Sequence, residues 1–108
     1  MNLTTTTKNT MLATLTLTHV SLHSADTGVD GTTGEIAVTR GVVAFGTPTD
    51  GRITLTTDVT MTISDPVTIS HIGYWNESVF VLSQEITPQV ITEPSNFVLQ
   101  ATSTYIEI

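Results

Sequence analysis

The sequence predicts one all-β domain, an antiparallel β-sandwich or barrel of about seven to eight short strands with a short N-terminal helix. Three observations predict this class. From Leu15 onward, apolar residues alternate with polar ones. Turn residues recur about every 8–12 residues, a spacing typical of sandwiches and barrels. Threonine, a β-branched residue that favours strands, occurs 24 times in the 108 residues.

The length fits a single domain covering residues 1–108, because a chain of this size holds one core. We expect residues 1–14 to be a helical or extended segment and residues 15–108 to form the β-sandwich. The chain has no cysteine, which excludes disulfides and thiolate metal sites.

The N-terminal segment has the pattern of a short helix over residues 4–13. The threonines of residues 4–7 suit a cap and first turn, and Met11 and Leu15 are spaced i, i+4. Its large apolar residues, Leu3, Met11 and Leu12, are candidates for contact with a partner.

The first strands are predicted after this helix. Leu15 and Leu17, and then Val20 and Leu22, alternate with polar residues that include His19 and His23. Further along the chain we predict a loop, an apolar run and a turn, in that order: Ala25–Gly34, Ile36–Phe45 and Gly46–Gly51.

The segment Ile53–Ile63 alternates most regularly, with apolar residues on one face and mainly threonine on the other. Asp65-Pro66 breaks this pattern. The later apolar segments predict the remaining strands, and Pro88 and Pro94 favour sheet edges or turns. These segments are Val67–Gly73, Val79–Leu82, Ile86–Ile91 and Phe97–Ile108.

The charge excludes several classes of partner. Ten acidic residues outnumber three basic ones, which gives a net charge of −7. Nucleic acid and anionic membrane surfaces both select basic patches, so neither is an expected partner. The first 18 residues lack the pattern of a secretory signal, and we expect the chain to stay in the cytoplasm of the cell that makes it.

Candidate sites for chemistry are few. His19 and His23 share a strand face and could bind a metal with His71, but no acidic or cysteine ligand stands at a recognised spacing, so we expect none. Asp26–Gly31 has part of a calcium-loop pattern and is expected to be an ordinary loop. No nucleophile motif or phosphate-binding glycine loop is present, so we expect no enzyme and no cofactor.

Tyr74 and Trp75 form the most informative aromatic pair, and Trp75 is the only tryptophan. One interpretation makes the pair a core anchor. The other places it in a contact between subunits, where buried aromatic residues often supply binding energy.

Two segments resemble a family of small virion proteins of tailed phages, which are often called tail-fibre or minor tail proteins in phages of actinobacteria and relatives. The first is Thr18–Gly28 (THVSLHSADTG), and the second is Ile69–Trp75 (ISHIGYW). The opening Leu3–Leu15 is also similar. Together with Arg40 and Phe45 between the two segments, the likeness covers most of the chain to about residue 82. Thr27 departs from the family pattern, in which proline is frequent.

This resemblance implies a structural role on a virion surface, after assembly in the host cytoplasm, with no catalytic residues. The first hypothesis is a head decoration protein, a homotrimer that binds the major capsid protein and stabilises the shell. The second is a minor tail or tail-fibre-associated protein. A third, from another class, is a carbohydrate-binding β-sandwich that uses Tyr74 and Trp75 as a stacking platform.

Overall fold

The computed structural model describes residues 2–108, which form one helix and eight β-strands. The helix α1 is Thr5–Ala13. The strands are β1 (His19–His23), β2 (Gly41–Val42), β3 (Arg52–Thr54), β4 (Val59–Ile63), β5 (Val67–Asn76), β6 (Val79–Ile91), β7 (Ser95–Leu99) and β8 (Tyr105–Glu107). Every strand pair is antiparallel, and the predicted all-β class with a short N-terminal helix is confirmed.

The strands form one four-stranded sheet and two smaller ones. The order in the large sheet is β2-β1-β5-β6, and the small sheets pair β3 with β8 and β4 with β7. A tight turn at Glu77, whose φ is 55°, joins β5 to β6 in the longest hairpin. The arrangement is sandwich-like, because the small sheets cover one face of the large one.

The core lies between the inner face of the large sheet and the apolar faces of β3 and β4. The large sheet contributes Val20, Leu22, Ile72 and Tyr74, each at most 1% exposed. Phe45 closes one side, with its ring edge-to-face on Tyr74 at a centroid distance of 5.7 Å. Removal of this apolar surface from water is the main stabilising contribution.

The alternation over Ile53–Ile63 is confirmed, although it spans two strands. Its five apolar members are all buried, and Thr60 and Thr62 on the opposite face are exposed. Between the strands the chain changes sheets, because β3 pairs with β8 while β4 pairs with β7. Asp58 stabilises the crossing, since its Oδ1 accepts a hydrogen bond of 2.7 Å from the backbone N–H of Ala101.

Other strand boundaries differ from the predicted ones. Residues 15–18 are not a strand, because this segment crosses from α1 to the large sheet with Leu15 and Leu17 half-buried against the core. The segments 79–82 and 86–91 join into β6, which keeps its pairing to β5 through two register shifts. The predicted C-terminal strand 97–108 is divided into β7 and β8 by a turn at Thr102, whose φ is 70°.

The predicted helix over residues 4–13 is confirmed as α1. The Thr4 side chain caps it by accepting a hydrogen bond of 3.1 Å from Thr7 N–H. Leu12 enters the core at 1% exposure, and Asn9 Oδ1 accepts a bond of 2.9 Å from Gly51 N–H. The helix is therefore docked on its own chain. In the described part of the chain, no helix has the length and apolar character needed to cross a membrane.

The burial of Leu12 yields a prediction about the helix. Leu12→Ala is expected to lower the free energy of unfolding by about 2–5 kcal/mol, because it leaves a cavity under α1. The neighbouring substitution Met11→Ala should change it by less than about 0.5 kcal/mol, because Met11 is 47% exposed. Urea denaturation of both variants measures the difference. Equal decreases in the free energy of unfolding of the two variants would contradict the docking of α1 through Leu12.

Candidate functional site

The segments Thr18–Gly28 and Ile69–Trp75 lie side by side. The first contains β1 and the second lies within β5, and their register pairs His19 with Trp75 and Ser21 with Gly73. Residues paired across antiparallel strands point to the same face. All four therefore lie on one face of the large sheet, opposite the apolar core.

Residues 24–40 cover this outer face. Backbone hydrogen bonds hold the segment at both ends, from Ser24 N–H to Gly34 O at 3.0 Å and from Ile36 N–H to Leu22 O at 2.8 Å. At Gly31, where φ is +78°, a Cβ atom would lie only 2.3 Å from the Phe80 ring. The covering segment thus packs directly on the sheet. The predicted loop Ala25–Gly34 is part of this second layer.

A chain of three hydrogen bonds runs beneath this cover. Trp75 Nε1–H donates to Ser21 Oγ at 2.8 Å, and Ser21 Oγ lies 2.6 Å from His23 Nε2. His23 Nδ1 lies 2.8 Å from the carbonyl oxygen of Thr33. Because a carbonyl oxygen only accepts, Nδ1 of His23 carries a proton, and in the neutral ring Nε2 then accepts the Ser21 hydroxyl proton. The chain therefore has one direction, from indole to serine to imidazole to backbone.

Gly73 provides the space for this chain. A Cβ atom at Gly73 would stand 2.6 Å from Ser21 Oγ and 3.0 Å from His23 Nε2. Both distances are shorter than van der Waals contact, so a side chain would separate the hydrogen-bonded groups. The glycine between Ile72 and Tyr74 is thus required by the polar groups opposite it on β1.

Arg40 closes the cover over Trp75. Its guanidinium carbon lies 3.6 Å from the centre of the indole ring, and it donates two hydrogen bonds to the Glu35 carboxylate, at 2.8 and 3.0 Å. Phe80 packs edge-to-face on the same indole. The hydrogen bonds from Arg40 lower the pKa of Glu35, although partial burial opposes this shift, and they raise the pKa of Arg40.

Ser21 and His23 are as close as a catalytic nucleophile and its general base, but neither side chain is accessible to a substrate. Ser21 is 1% exposed and His23 is 0% exposed, so no substrate reaches either group. The Ser21 oxygen also already accepts the indole proton of Trp75. Nucleophilic catalysis needs an approachable oxygen, and here the pair stabilises the covering segment instead. The sequence analysis did not predict this pair, and the signal that could have found it is the serine between two histidines on a predicted strand.

The histidines form no metal centre. His23 has both ring nitrogens engaged, His19 Nδ1 contacts Thr18 Oγ1 at 2.8 Å, and His71 Nδ1 contacts Ser70 Oγ at 2.8 Å. In residues 2–108, no group of three His, Asp or Glu side chains is placed to hold a metal ion.

The loop Asp26–Gly31 uses its carboxylates locally. Asp26 Oδ1 accepts a bond of 3.0 Å from Gly28 N–H, and Asp30 Oδ1 accepts one of 3.2 Å from Thr32 N–H. Each is an Asx turn, in which the side chain caps the backbone two residues on. Thr27, between the two carboxylates, is completely buried.

Tyr74 and Trp75 are buried in their own chain, at 0% and 4% exposure. Neither side chain is therefore exposed for a contact between subunits. The core-anchor interpretation is correct for Tyr74, whereas Trp75 is buried outside the apolar core, on the opposite face of the sheet. Neighbouring strand residues point to opposite faces, and here both faces are covered, one by the core and the other by residues 24–40. Burial raises the pKa of Tyr74 to about 12.

The three N-terminal residues predicted to contact a partner differ in their exposure. Leu12 is buried in the core and is not available to a partner, because α1 docks through it. Leu3 is half-buried, and Met11 is 47% exposed. Of the candidate contact residues, Met11 is thus the most accessible. Other large apolar residues that are exposed include Val42, Val79, Val90 and Val98.

Comparisons with known proteins return no match. No family model, no curated protein and no solved structure resembles this chain significantly. The functional inference therefore depends on the sequence motifs and on the geometry described above.

The hydrogen-bond chain yields a prediction about Ser21. Ser21→Ala should lower the free energy of unfolding by about 1–3 kcal/mol, because it leaves Trp75 Nε1–H and His23 Nε2 buried without partners. Ser83→Ala is the matched control, since Ser83 pairs with Gly73 from the other side but is exposed. Denaturation followed by Trp75 fluorescence measures both. If Ser21→Ala left the free energy of unfolding unchanged, these hydrogen bonds would not stabilise the fold.

The Arg40–Glu35 pair yields a prediction about pH. Because the folded pKa of Glu35 is lowered, the pair's contribution to stability is complete above the unfolded pKa of about 4.3 and is lost as the pH falls through the folded value. Arg40→Gln should therefore lose more stability at neutral pH than under acid conditions. Thermal denaturation across this range measures the difference.

Arg52→Gln is the control for this experiment. Arg52 also binds a glutamate, Glu107, but the two side chains are 41% and 48% exposed. Solvent screens such a pair, so the substitution should lose little stability, and this loss should change little with pH. If Arg40→Gln lost the same stability at every pH, its effect would come from stacking on Trp75 alone.

Proposed function

We propose that this chain is a structural protein of a phage virion, and that it decorates the outside of the head by binding the major capsid protein. The observation that supports the proposal most strongly is the pairing of the two family-like segments as β1 and β5. Their polar side chains satisfy one another beneath residues 24–40. The residues that resemble the family are thus buried groups that stabilise the fold. We expect this of a protein with a structural role in an assembly.

The surface fits an assembly role. Threonines on the outer faces of the strands and on α1 provide hydroxyl groups without charge, and only 12% of all residues are charged. Of the three basic residues, Arg40 and Arg52 are already paired with glutamates. The remaining excess of acidic groups disfavours nucleic acid and favours a protein partner that presents basic side chains.

The contact with the shell is proposed to involve the N-terminal region. Met11 is exposed on a helix that is fixed to the domain through Leu12 and Asn9, so it is presented on a rigid support. Leu3, half-buried before the helix, is a second contact of this surface. We propose a homotrimer as the bound form, in which three copies present this surface around one local symmetry axis.

The alternative role, as a minor tail or fibre-associated protein, has the same requirements for a sturdy and neutral exterior, and the position on the particle distinguishes the two. The carbohydrate-binding hypothesis is disfavoured because it needs Tyr74 and Trp75 exposed side by side. Both are buried.

The proposal predicts where the protein lies on a particle. When purified protein is added to phage particles that lack it, cryo-electron microscopy should show density on the outside of the head. Met11→Glu should reduce the occupancy several-fold, because it places a charge in the contact. Val42→Glu, at a valine that is 72% exposed on β2, should not.

Each other result has a defined meaning. Density confined to the tail would establish the alternative role, and particles without added density would contradict both. Light scattering of the purified protein tests the trimer, which has three times the chain mass of 11.6 kDa.

A further inference from the structure

An open groove lies between β6 and β7. The two strands are joined by residues 92–94, yet they belong to different sheets and no ladder hydrogen bonds connect them. They diverge from this corner and leave a space of about 450 Å3. Its lining residues are Ile86, Thr87, Gln89 and Ile91 from β6, and Asn96, Phe97 and Val98 from β7.

The lining identifies the groove as a strand edge. Consecutive strand residues point to opposite faces, so a space that touches Asn96, Phe97 and Val98 together must run along the side of β7. The other side of β7 pairs with β4 over all five of its residues. Backbone N–H and C=O groups on the groove side therefore have no strand partner.

The two edges are protected to different degrees. Strand β6 contains Pro88, which lacks an N–H, and its pairing to β5 shifts register between Ile69 and His71, opposite this part of the strand. Proline and bulges are devices that prevent further pairing at an edge. Strand β7, Ser95–Leu99, contains no proline, no charged residue and no irregularity in its pairing. Its edge is open to another strand.

The chemistry of the rim selects the occupant. Glu93 lies exposed in the corner between the strands, whereas the Glu85 carboxylate lies 3.7 Å from Nε2 of its cross-strand partner His71 and is not part of the groove. None of the chain's three basic residues lines the groove, and the chain has a net charge of −7. A second copy would bring the same negative charge into the site, whereas a segment with lysine or arginine complements it.

We propose that the groove binds an extended segment of a partner protein that adds a strand to the edge of β7. Apolar side chains of the segment pack on Ile86, Ile91 and Phe97, which are half-buried, and its basic residues face Glu93. Backbone pairing supplies affinity in this mode of recognition, and the side-chain pockets supply specificity. The inference does not depend on a virion role, because it follows from the groove alone.

The test uses the full chain and a synthetic peptide in which threonine and valine alternate between lysine pairs. Titration followed by amide NMR should shift the signals of residues 86–91 and 95–98. A peptide with glutamate in place of lysine, and one with alternate backbone amides methylated, should each bind at least about tenfold more weakly. Binding of the lysine peptide should also weaken several-fold as salt is raised.

A matched pair of variants locates the binding. Val98→Lys, in the groove, should weaken binding of the lysine peptide by roughly tenfold or more. Val42→Lys adds the same charge at an exposed valine on the opposite edge of the large sheet and should leave binding within about twofold. If Val98→Lys does not fold, mapping of the signals on the unmodified chain still decides the question.

Three results would overturn the proposal. The first is no shift in β6 or β7 at millimolar peptide, and the second is equal binding of the methylated peptide. The third is a concentration-dependent shift of the same signals without peptide, which would make a second copy the occupant. A failure to find the protein on phage heads would not affect these results, because the peptide titration contains no particle.

Discussion

The indole of Trp75, the hydroxyl of Ser21 and the imidazole of His23 form a hydrogen-bonded chain that ends on the Thr33 carbonyl, and the rest of the structure is arranged around it. The chain links β5, β1 and the covering segment, which are far apart in sequence. A buried polar group without a partner is costly, and in residues 2–108 every buried side-chain nitrogen or oxygen has one. A slip of β1 by one residue would break this chain and also turn Val20 and Leu22 out of the core.

This constraint explains how a chain of 108 residues covers both faces of the paired central strands β1 and β5 of the large sheet. The inner face packs on the small sheets in the usual way. The outer face is covered by a segment with almost no regular structure, which is held by Arg40, Glu35 and the glycine at position 31. Since this segment has few backbone partners of its own, it depends on side-chain contacts with the sheet. The aromatic pair Trp75–Phe80 is the platform on which it rests.

The buried polar residues stabilise the fold, whereas other residues form the accessible surfaces. The residues with the most reactive chemistry, Ser21 and His23, lie inside, where they hold strands in register. The accessible features are the exposed face of α1, the hydroxyl-rich strand faces and the edge of β7. Such features bind other proteins through shape, backbone pairing and charge. An assembly role follows more readily from these surfaces than a role in chemistry, and the proposed head decoration function is of this kind.

The elements that depend on local physics could be read from the sequence. The threonine cap and the apolar spacing place α1, and the alternation over Ile53–Ile63 identifies its buried face correctly. The turn at Asp50-Gly51 follows from residues that tolerate positive φ, and both adopt it, at 53° and 75°.

What covers each face was decided by the tertiary structure alone. Alternation shows that His19, Ser21 and His23 share a side of β1, but a polar pattern looks the same whether water or a folded segment lies against it. Tyr74 and Trp75 were ambiguous for this reason. Their burial depends on residues 24–40 returning over the sheet, a long-range contact that no local pattern encodes. The sequence thus determined which side chains of one strand share a face. The fold determined which of these faces meet solvent.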